Sequence, residues 1–334
     1  MALEAFRRIQ IGLETTQGTK VAATKKAIGT LTMTPEIDFH RPVDERNSLA
    51  EFRRDVITGQ RAALKYEGSP SYEQIIDWLL ASIRGVDSSG WSNPTTPGGG
   101  TNSRDWTFSP LLTGRNQQDS YTIEYGDDTQ EFEVGFAQIS QLELAFAWNE
   151  VIMMTADMYS TFPAKSSFTG ALSDPSVTEI VANHAKFYID GTWANRGSTE
   201  KATLLAGATW RLNTGLVPIK YADGTLEISS FMEQRRHLEL DLDMAVGAAG
   251  MTEYDAAVAG TDRAIRIDVI GAVIEAAITY KLRLDTFGRY EQAPEIFGVR
   301  DGENLFNLKL LSYEEGASNK EFEVIVTNTE NALS

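Results

Sequence analysis

The sequence predicts a mainly β protein with minor α, built as two tandem β-rich domains, each flanked by a short helix. Three observations predict it. Alternating apolar and polar residues recur in short runs along all 334 residues, the period of half-buried strands. One segment has a strong helical period. The order of elements in the first half, which ends in QLELAFAW and VIMMTADM, returns in the second as HLELDLDM, a helical segment, RAIRIDVIG, ITYKLRLD, NLFNLKL and EFEVIVTN. A chain of this length is expected to hold about two domains. Turn-rich segments divide it into an N-terminal arm at 1–28, a first domain at 29–165, a bridging segment at 166–205 and a second domain at 206–334.

Residues 1–28 read as an extended polar arm. In the first strand Leu31, Met33, Ile37 and Phe39 face one way and Thr32, Thr34, Glu36 and Asp38 the other. Residues 43–60 form a charged connection too long for a hairpin turn, and RAALKYEG follows as a strand. Tyr72, Ile75, Ile76, Leu79, Leu80 and Ile83 make one apolar stripe at helical spacing, with Ser69 as cap, Pro70 at the first position and Gly85 at the far end. Residues 86–104 read as a flexible surface loop, whose triple glycine lacks the Gly-Lys-Ser/Thr of a phosphate cradle. Strands resume in DWTFSP, SYTIEYG, QEFEVGF, QLELAFAW and EVIMMTADM, the last two joined through Asn149-Glu150. The bridging segment contains a strand-like KFYIDG. The second half runs ATWRLNTGL, a turn at 223–225, HLELDLDM, a helical turn from Thr252 to Ala259 ending at Gly260, and four more strands. Its connection near 223–232 reads as much shorter than 43–60.

Composition narrows the function. With 42% hydrophobic residues the chain buries real cores, so global disorder is excluded. There is no cysteine, so disulfides and thiolate metal sites are excluded. No apolar run approaches the length of a membrane span, and no signal peptide is expected. A net charge of −17 argues against a basic groove that grips nucleic acid, because that affinity comes from Lys and Arg displacing counterions. It suits plain solubility or an acidic wall past which DNA slides.

Catalytic signatures are missing. His40, His184 and His237 have no ligand spacing, and no nucleophile elbow, zinc motif or phosphate loop occurs. A two-carboxylate hydrolase is the enzymatic idea to weigh. Yet Glu239, Asp241 and Asp243 alternate with Leu238, Leu240, Leu242 and Met244, a wet sheet face rather than two carboxyls in different environments. Asp127-Asp128 and Asp301-Gly302-Glu303 read as turns. No enzyme, cofactor or metal is expected.

The strings IQIGLETTQGTKVAATKKAIG, ALKYEGSPSYEQIIDWLLASIRGV, DWTFSP and SYTIEYGD, followed by ISQLELAFAW, EVIMMTADM and ATWRLNTGL, resemble in their order the tail tube (major tail) proteins of long-tailed, non-contractile bacteriophages. The resemblance is strongest over residues 8–160 and looser after 200. It implies two tandem tail-tube-like β-sandwich or split-barrel domains in a structural virion protein. Rings of such domains stack into a tube that conducts DNA into the host. Members with two tube domains per chain close the ring with three chains. The implied partners are further copies of the chain, tape-measure, tail terminator and tail-tip proteins, and double-stranded DNA that passes without tight binding. The implied location is the virion tail, assembled in the host cytoplasm.

Barrel geometry agrees with three double-domain chains. Twenty-four strands about 4.8 Å apart and tilted roughly 40° close at a backbone diameter of about 48 Å, whereas twelve give only about 24 Å. The former admits a duplex roughly 20 Å wide. Lumen-facing acids on this reading are Glu36, Asp38 and Glu143 in the first half and Glu239, Asp241 and Asp243 in the second. The ring-stacking loop, implied by resemblance, is Asp44, Glu45, Arg46, Glu51, Arg53 and Arg54 around Phe52. The rival from another class is a β-sandwich binding module for carbohydrate or adhesion, with Trp91 and Trp106 exposed as a stacking platform.

Overall fold

A computed structural model describes residues 6–45, 47, 49–147, 150–294, 298–300 and 303–333. The first half contains β1 (Arg8–Leu13), β2 (Lys25–Ala27), β3 (Thr30–His40), β4 (Val56–Gly68), α1 (Ile75–Ser82), β5 (Arg104–Phe108), β6 (Tyr121–Gly126), β7 (Glu131–Phe146), β8 (Met153–Ser160) and β9 (Ala164–Ser166). The second contains β10 (Ala185–Asp190), β11 (Leu205–Asn213), β12 (Leu216–Ile219), β13 (Ser230–Glu233), β14 (His237–Ala245), α2 (Ala248–Ala259), β15 (Asp262–Glu275), β16 (Ile278–Tyr290), β17 (Gly298–Arg300), β18 (Glu303–Ser312) and β19 (Phe322–Asn328). The protein is mainly β, and its large sheet is antiparallel throughout.

The longest layer runs β3–β4–β8–β7–β11–β14–β18, with the end of β16 beyond β18. Two five-stranded layers stand apart from it, β2–β1–β6–β7–β9 and β10–β15–β16–β19–β5. β7 and β16 each belong to two layers. In β7 the change falls where the pairings to β6 and β8 both shift register and Phe136 takes a φ of 55°; such irregularities bend a strand and turn its remainder toward a new partner. In β16 it falls at Gly288, where a Cβ would lie 2.1 Å from the Leu311 carbonyl oxygen. No other residue fits that approach.

Alternation sets the faces. Leu64, Tyr66, Leu142, Leu144, Met154, Ala156, Trp210, Leu212, Leu240 and Leu308 are buried on one side of the long layer, the leucines and Met154 each worth roughly 1.5–3 kcal/mol of burial. All eight residues of α1 are buried, Asp77 included. Trp78 packs on Tyr66 with ring centroids 4.2 Å apart. Lys25 pairs with Asp77 at 2.9 Å, and the Tyr121 hydroxyl donates to it at 3.1 Å. Burial pushes the Asp77 carboxyl up, with Lys25 opposing.

Several expectations are corrected. The helix does not start at Pro70: Ser71 bridges to Glu179 and the Tyr72 N–H donates to the Thr178 carbonyl, so tertiary pairing holds the chain extended there. The cap is Ser71, whose Oγ accepts the Gln74 N–H at 3.2 Å. From Arg8 onward the supposed arm is β1, whose Ile9 and Ile11 are buried in pairing with β6. The strand expected at KFYIDG forms as β10, but it pairs with β15 and so belongs to the second half rather than to a bridge. First-half β5 pairs with second-half β19, so the halves interlock. The connection between β11 and β14 spans 214–236 and folds its own hairpin, β12–β13, so it is longer than the 41–55 connection between β3 and β4, not shorter; strands as brief as β12 and β13 leave too little alternation to be read from sequence. The Asn149 position and Asp301-Gly302 lie outside the described residues.

Candidate functional site

The side of the long layer opposite the core is a continuous polar surface, and the carboxylates singled out from the sequence meet on it. Register places Thr155, Glu143, Arg211 and Glu239 in one line across β8, β7, β11 and β14. Ala145, Thr209, Asp241 and Lys309 follow in the next. Glu36 and Asp38 share this face by register on β3, but they stand where the β3–β4 hairpin projects past the last β4–β8 pair, Ala62 with Ser160.

The acids are braced by cations. Arg211 Nε donates to Glu143 at 2.8 Å, and its Nη1 lies 3.5 Å from Glu239 and 3.4 Å from Asp241. Lys309 Nζ is 2.9 Å from Glu239 and 3.7 Å from Glu291. His237 meets Glu239 at 2.9 Å, Asn307 donates to Asp243 at 2.9 Å, and Arg61 donates to Glu36 at 2.5 Å. Burial disfavours the charged form of Glu239, but the bonds from Lys309 and His237 outweigh it and hold its carboxyl below the usual range. For Asp241 burial prevails over Arg211 and raises the carboxyl. The hydrogen bond to Glu143 raises Arg211.

Half-exposed pairs of this kind contribute little stability each. Their effect is on the field. Glu36, Asp38, Glu67, Glu143, Asp157, Glu239, Asp241, Asp243 and Glu291 share the face with Arg61, Lys65, Arg211, Arg289 and Lys309, and each of these five cations already faces a carboxylate. The acid excess of such a surface repels a polyanion. Sequence reading missed Glu67 and Asp157, although both keep the strand parity, in KYEG and TADM. It also missed Arg211 as the hub, because its neighbours come from β7 and β14.

In the segment expected to stack rings, Arg54 pairs with Asp44 at 3.3 Å and Arg41 with Asp55 at 3.2 Å, while Glu45, Glu51, Phe52 and Arg53 are exposed. Arg46 lies outside the described residues. The tryptophan platform is corrected: Trp106 is buried, its Nε1 donating to Asn328 at 3.1 Å, and Trp91 is half-buried against Phe108. Both serve the core because β5 is covered by β19 and the 88–95 loop. The triple-glycine loop does bind an anion, one from the chain itself: the N–H groups of Thr101, Asn102 and Ser103 donate to Glu275 Oε1 at 2.7–2.8 Å. These bonds, with the Ser103 hydroxyl foremost, lower that carboxyl to about 2.

Among the described residues no cluster of His, Asp and Glu is arranged to hold a metal ion, and no helix is long and apolar enough to cross a membrane. No protein-family model matches the chain, and no curated protein matches it.

Proposed function

We propose that this protein is a structural subunit of a phage tail tube, with two tube-type domains per chain, three chains per ring and a DNA-wide channel lined by the polar face. One observation carries the reading: a single pairing scheme occurs twice. In the first half β1 pairs with β6, β3 with β4, β4 with β8, β8 with β7, β6 with β7 and β7 with β9. In the second half β10 pairs with β15, β11 with β14, β14 with β18, β18 with β16, β15 with β16 and β16 with β19. A helix follows the second strand of the long layer each time.

The scheme gives each half four strands of that layer, joined within the chain by β7–β11. Among the described residues β3 pairs with β4 alone and so stands at an edge. Uncovered edges are templates for another chain. Repetition of the β7–β11 type of joint between three copies would bring about 24 strands, the number whose barrel admits a duplex. The acid excess of the polar face supports a lumen that does not retain DNA. Tape-measure, terminator and tip proteins would be its partners, and the virion tail its location. The binding-module alternative loses support with Trp106 buried.

Negative-stain microscopy of the purified chain tests the reading: hollow tubes or rings are expected, and monomers at high concentration would refute it. In assembled phage, Glu239→Lys, Asp241→Lys and Asp243→Lys together should leave particles intact while DNA delivery drops at least tenfold. Unchanged infectivity would remove these acids from the lumen.

A further inference from the structure

We infer that residues 97–103 form an oxyanion seat that latches the two halves of the chain together: Glu275 plugs into it, and a free carboxylate takes the same place once that side chain is removed.

The seat is built from backbone. The Gly100 N–H donates to the Pro97 carbonyl at 2.9 Å, and the chain leaves this turn with three successive N–H groups aimed at one point. There Glu275 Oε1 accepts from Thr101, Asn102 and Ser103 at 2.7–2.8 Å, and the Ser103 hydroxyl adds a fourth bond at 2.6 Å. Successive N–H groups that converge in this way make an anion-binding nest, and an ionised acceptor binds such donors more strongly than a neutral one. The second carboxylate oxygen lies at the rim, 3.5 Å from Asn102 Nδ2, so the seat grips one oxygen and accommodates its twin. Glycine is required at position 100, where a Cβ would stand 2.2 Å from Ser103 Oγ and 3.1 Å from Glu275 Oε1. With its carboxyl lowered to about 2, Glu275 stays ionised at neutral pH, and pH does not open the latch.

Its two sides come from different halves. The seat lies between α1 and β6, in the segment that also lends β5 to the second-half layer. Glu275 ends β15, at the tip of the β15–β16 hairpin. That tip departs from regular pairing between Ile270 and Glu275 and exposes Val273, which makes the bonds to Glu275 its polar anchor. In the second half α2 ends at Ala259 and β15 begins at Asp262, so the repeat supplies no counterpart to the seat. The latch is therefore a tie between the halves of one chain rather than part of the repeated scheme. Because its resident is tethered, the seat meets Glu275 at an effective concentration in the millimolar range. A free carboxylate competes only when that side chain is gone.

Hydrogen exchange of the full chain tests the latch. Glu275→Ala should speed exchange of the amides of residues 101–103 and of the tip at 271–278 roughly tenfold, while β7 and β11 keep their protection. Sodium acetate at about 100 mM, well above the effective concentration of the tethered group, should restore protection at residues 101–103. It should not restore the tip, because acetate carries no tether. Sodium chloride at the same ionic strength should restore neither. Glu275→Gln keeps a neutral acceptor and should fall between the unmodified chain and Glu275→Ala. Gly100→Ala should expose the same three amides with Glu275 still in place, and acetate should leave them exposed. Unchanged exchange in Glu275→Ala, no response of that variant to acetate, or an equal response to chloride would each overturn the inference. If Glu275→Ala does not fold, Gly100→Ala decides alone: full protection at residues 101–103 in that variant would overturn the seat.

Discussion

The two five-stranded layers follow one pairing scheme but satisfy their buried acids by different chemistry. In the first half, Glu14 accepts from the N–H groups of Gly18 and Phe136, both at 2.8 Å, and from the hydroxyls of Ser120 at 2.6 Å and Thr122 at 3.0 Å. Glu124 is held likewise by the Thr169 N–H and hydroxyl at 2.8 and 2.6 Å. In the second half arginines do this work: Asp285, fully buried, sits between Arg196 at 2.9 Å and Arg266 at 2.6 Å, and Asp268 is held by Arg283 at 3.0 and 2.8 Å. The difference lies in the strands as well as the covering segments: β15 and β16 themselves carry Arg266 and Arg283, joined by Arg196, whereas β6, β7 and the segments around Gly18 and Thr169 bring hydroxyls and backbone N–H groups. A repeated backbone scheme thus leaves polar satisfaction free to diverge.

The contrast can be broken from the second half first. Asp285→Ala takes away the carboxylate of Arg266 and one of the two that hold Arg196, which keeps Glu323, and should cost about 3–5 kcal/mol, read as a fall in the urea midpoint at constant slope. A loss below about 0.5 kcal/mol, typical of a surface change, would mean that the arginine pairs do not hold this layer. Glu14→Ala strands donors that are partly backbone and should cost about 2–3 kcal/mol. Hydrogen exchange should then rise over residues 14–24 while β15 and β16 stay protected; a uniform rise would deny the first layer its separate support.

The smallest effect depends on pH. Glu131 in β7 is buried and both its oxygens lack a partner. Burial, with the charges of Glu124 and Glu133, raises its carboxyl from 4.5 to about 7. The protonated form therefore favours the fold: its contribution is full below the unfolded value and is lost as pH rises through about 7. Glu131→Gln should be more stable than the unmodified chain at pH 8 by on the order of 2 kcal/mol, with the gap closing toward pH 5. Equal pH profiles would show that the group ionises without penalty. Asp119, which burial also raises to about 7, accounts for the slope expected to remain in the variant.

Much of the polar face was legible before any coordinates. Glu143, Glu239, Asp241 and Asp243 each alternate with buried leucines, and alternation reports which side of a strand meets water. The helical stripe of α1 was equally plain. Its start was not, because Ser71 and Tyr72 are held by Glu179 and Thr178, residues about a hundred positions away. The arm at 1–28 looked polar because its acids and hydroxyls, Glu14 above all, are satisfied by partners that lie far along the chain. Trp106 looked available beside a glycine-rich loop until β19 covered it.

Local pattern was enough to establish the mainly β character, the single strong helix, the sidedness of each long strand and the recurrence of one element order. Periodicity follows from which side chains leave water, and each residue carries that information in its own chemistry. Which strand lies beside which was decided by tertiary structure alone. The crossing of β7 and β16 between layers, the exchange of β5 into the second half and the bracing of three carboxylates by Arg211 depend on contacts between distant segments. Such contacts leave no periodic trace, since any apolar strand face can pack on any other, and the choice is made only when the whole core closes.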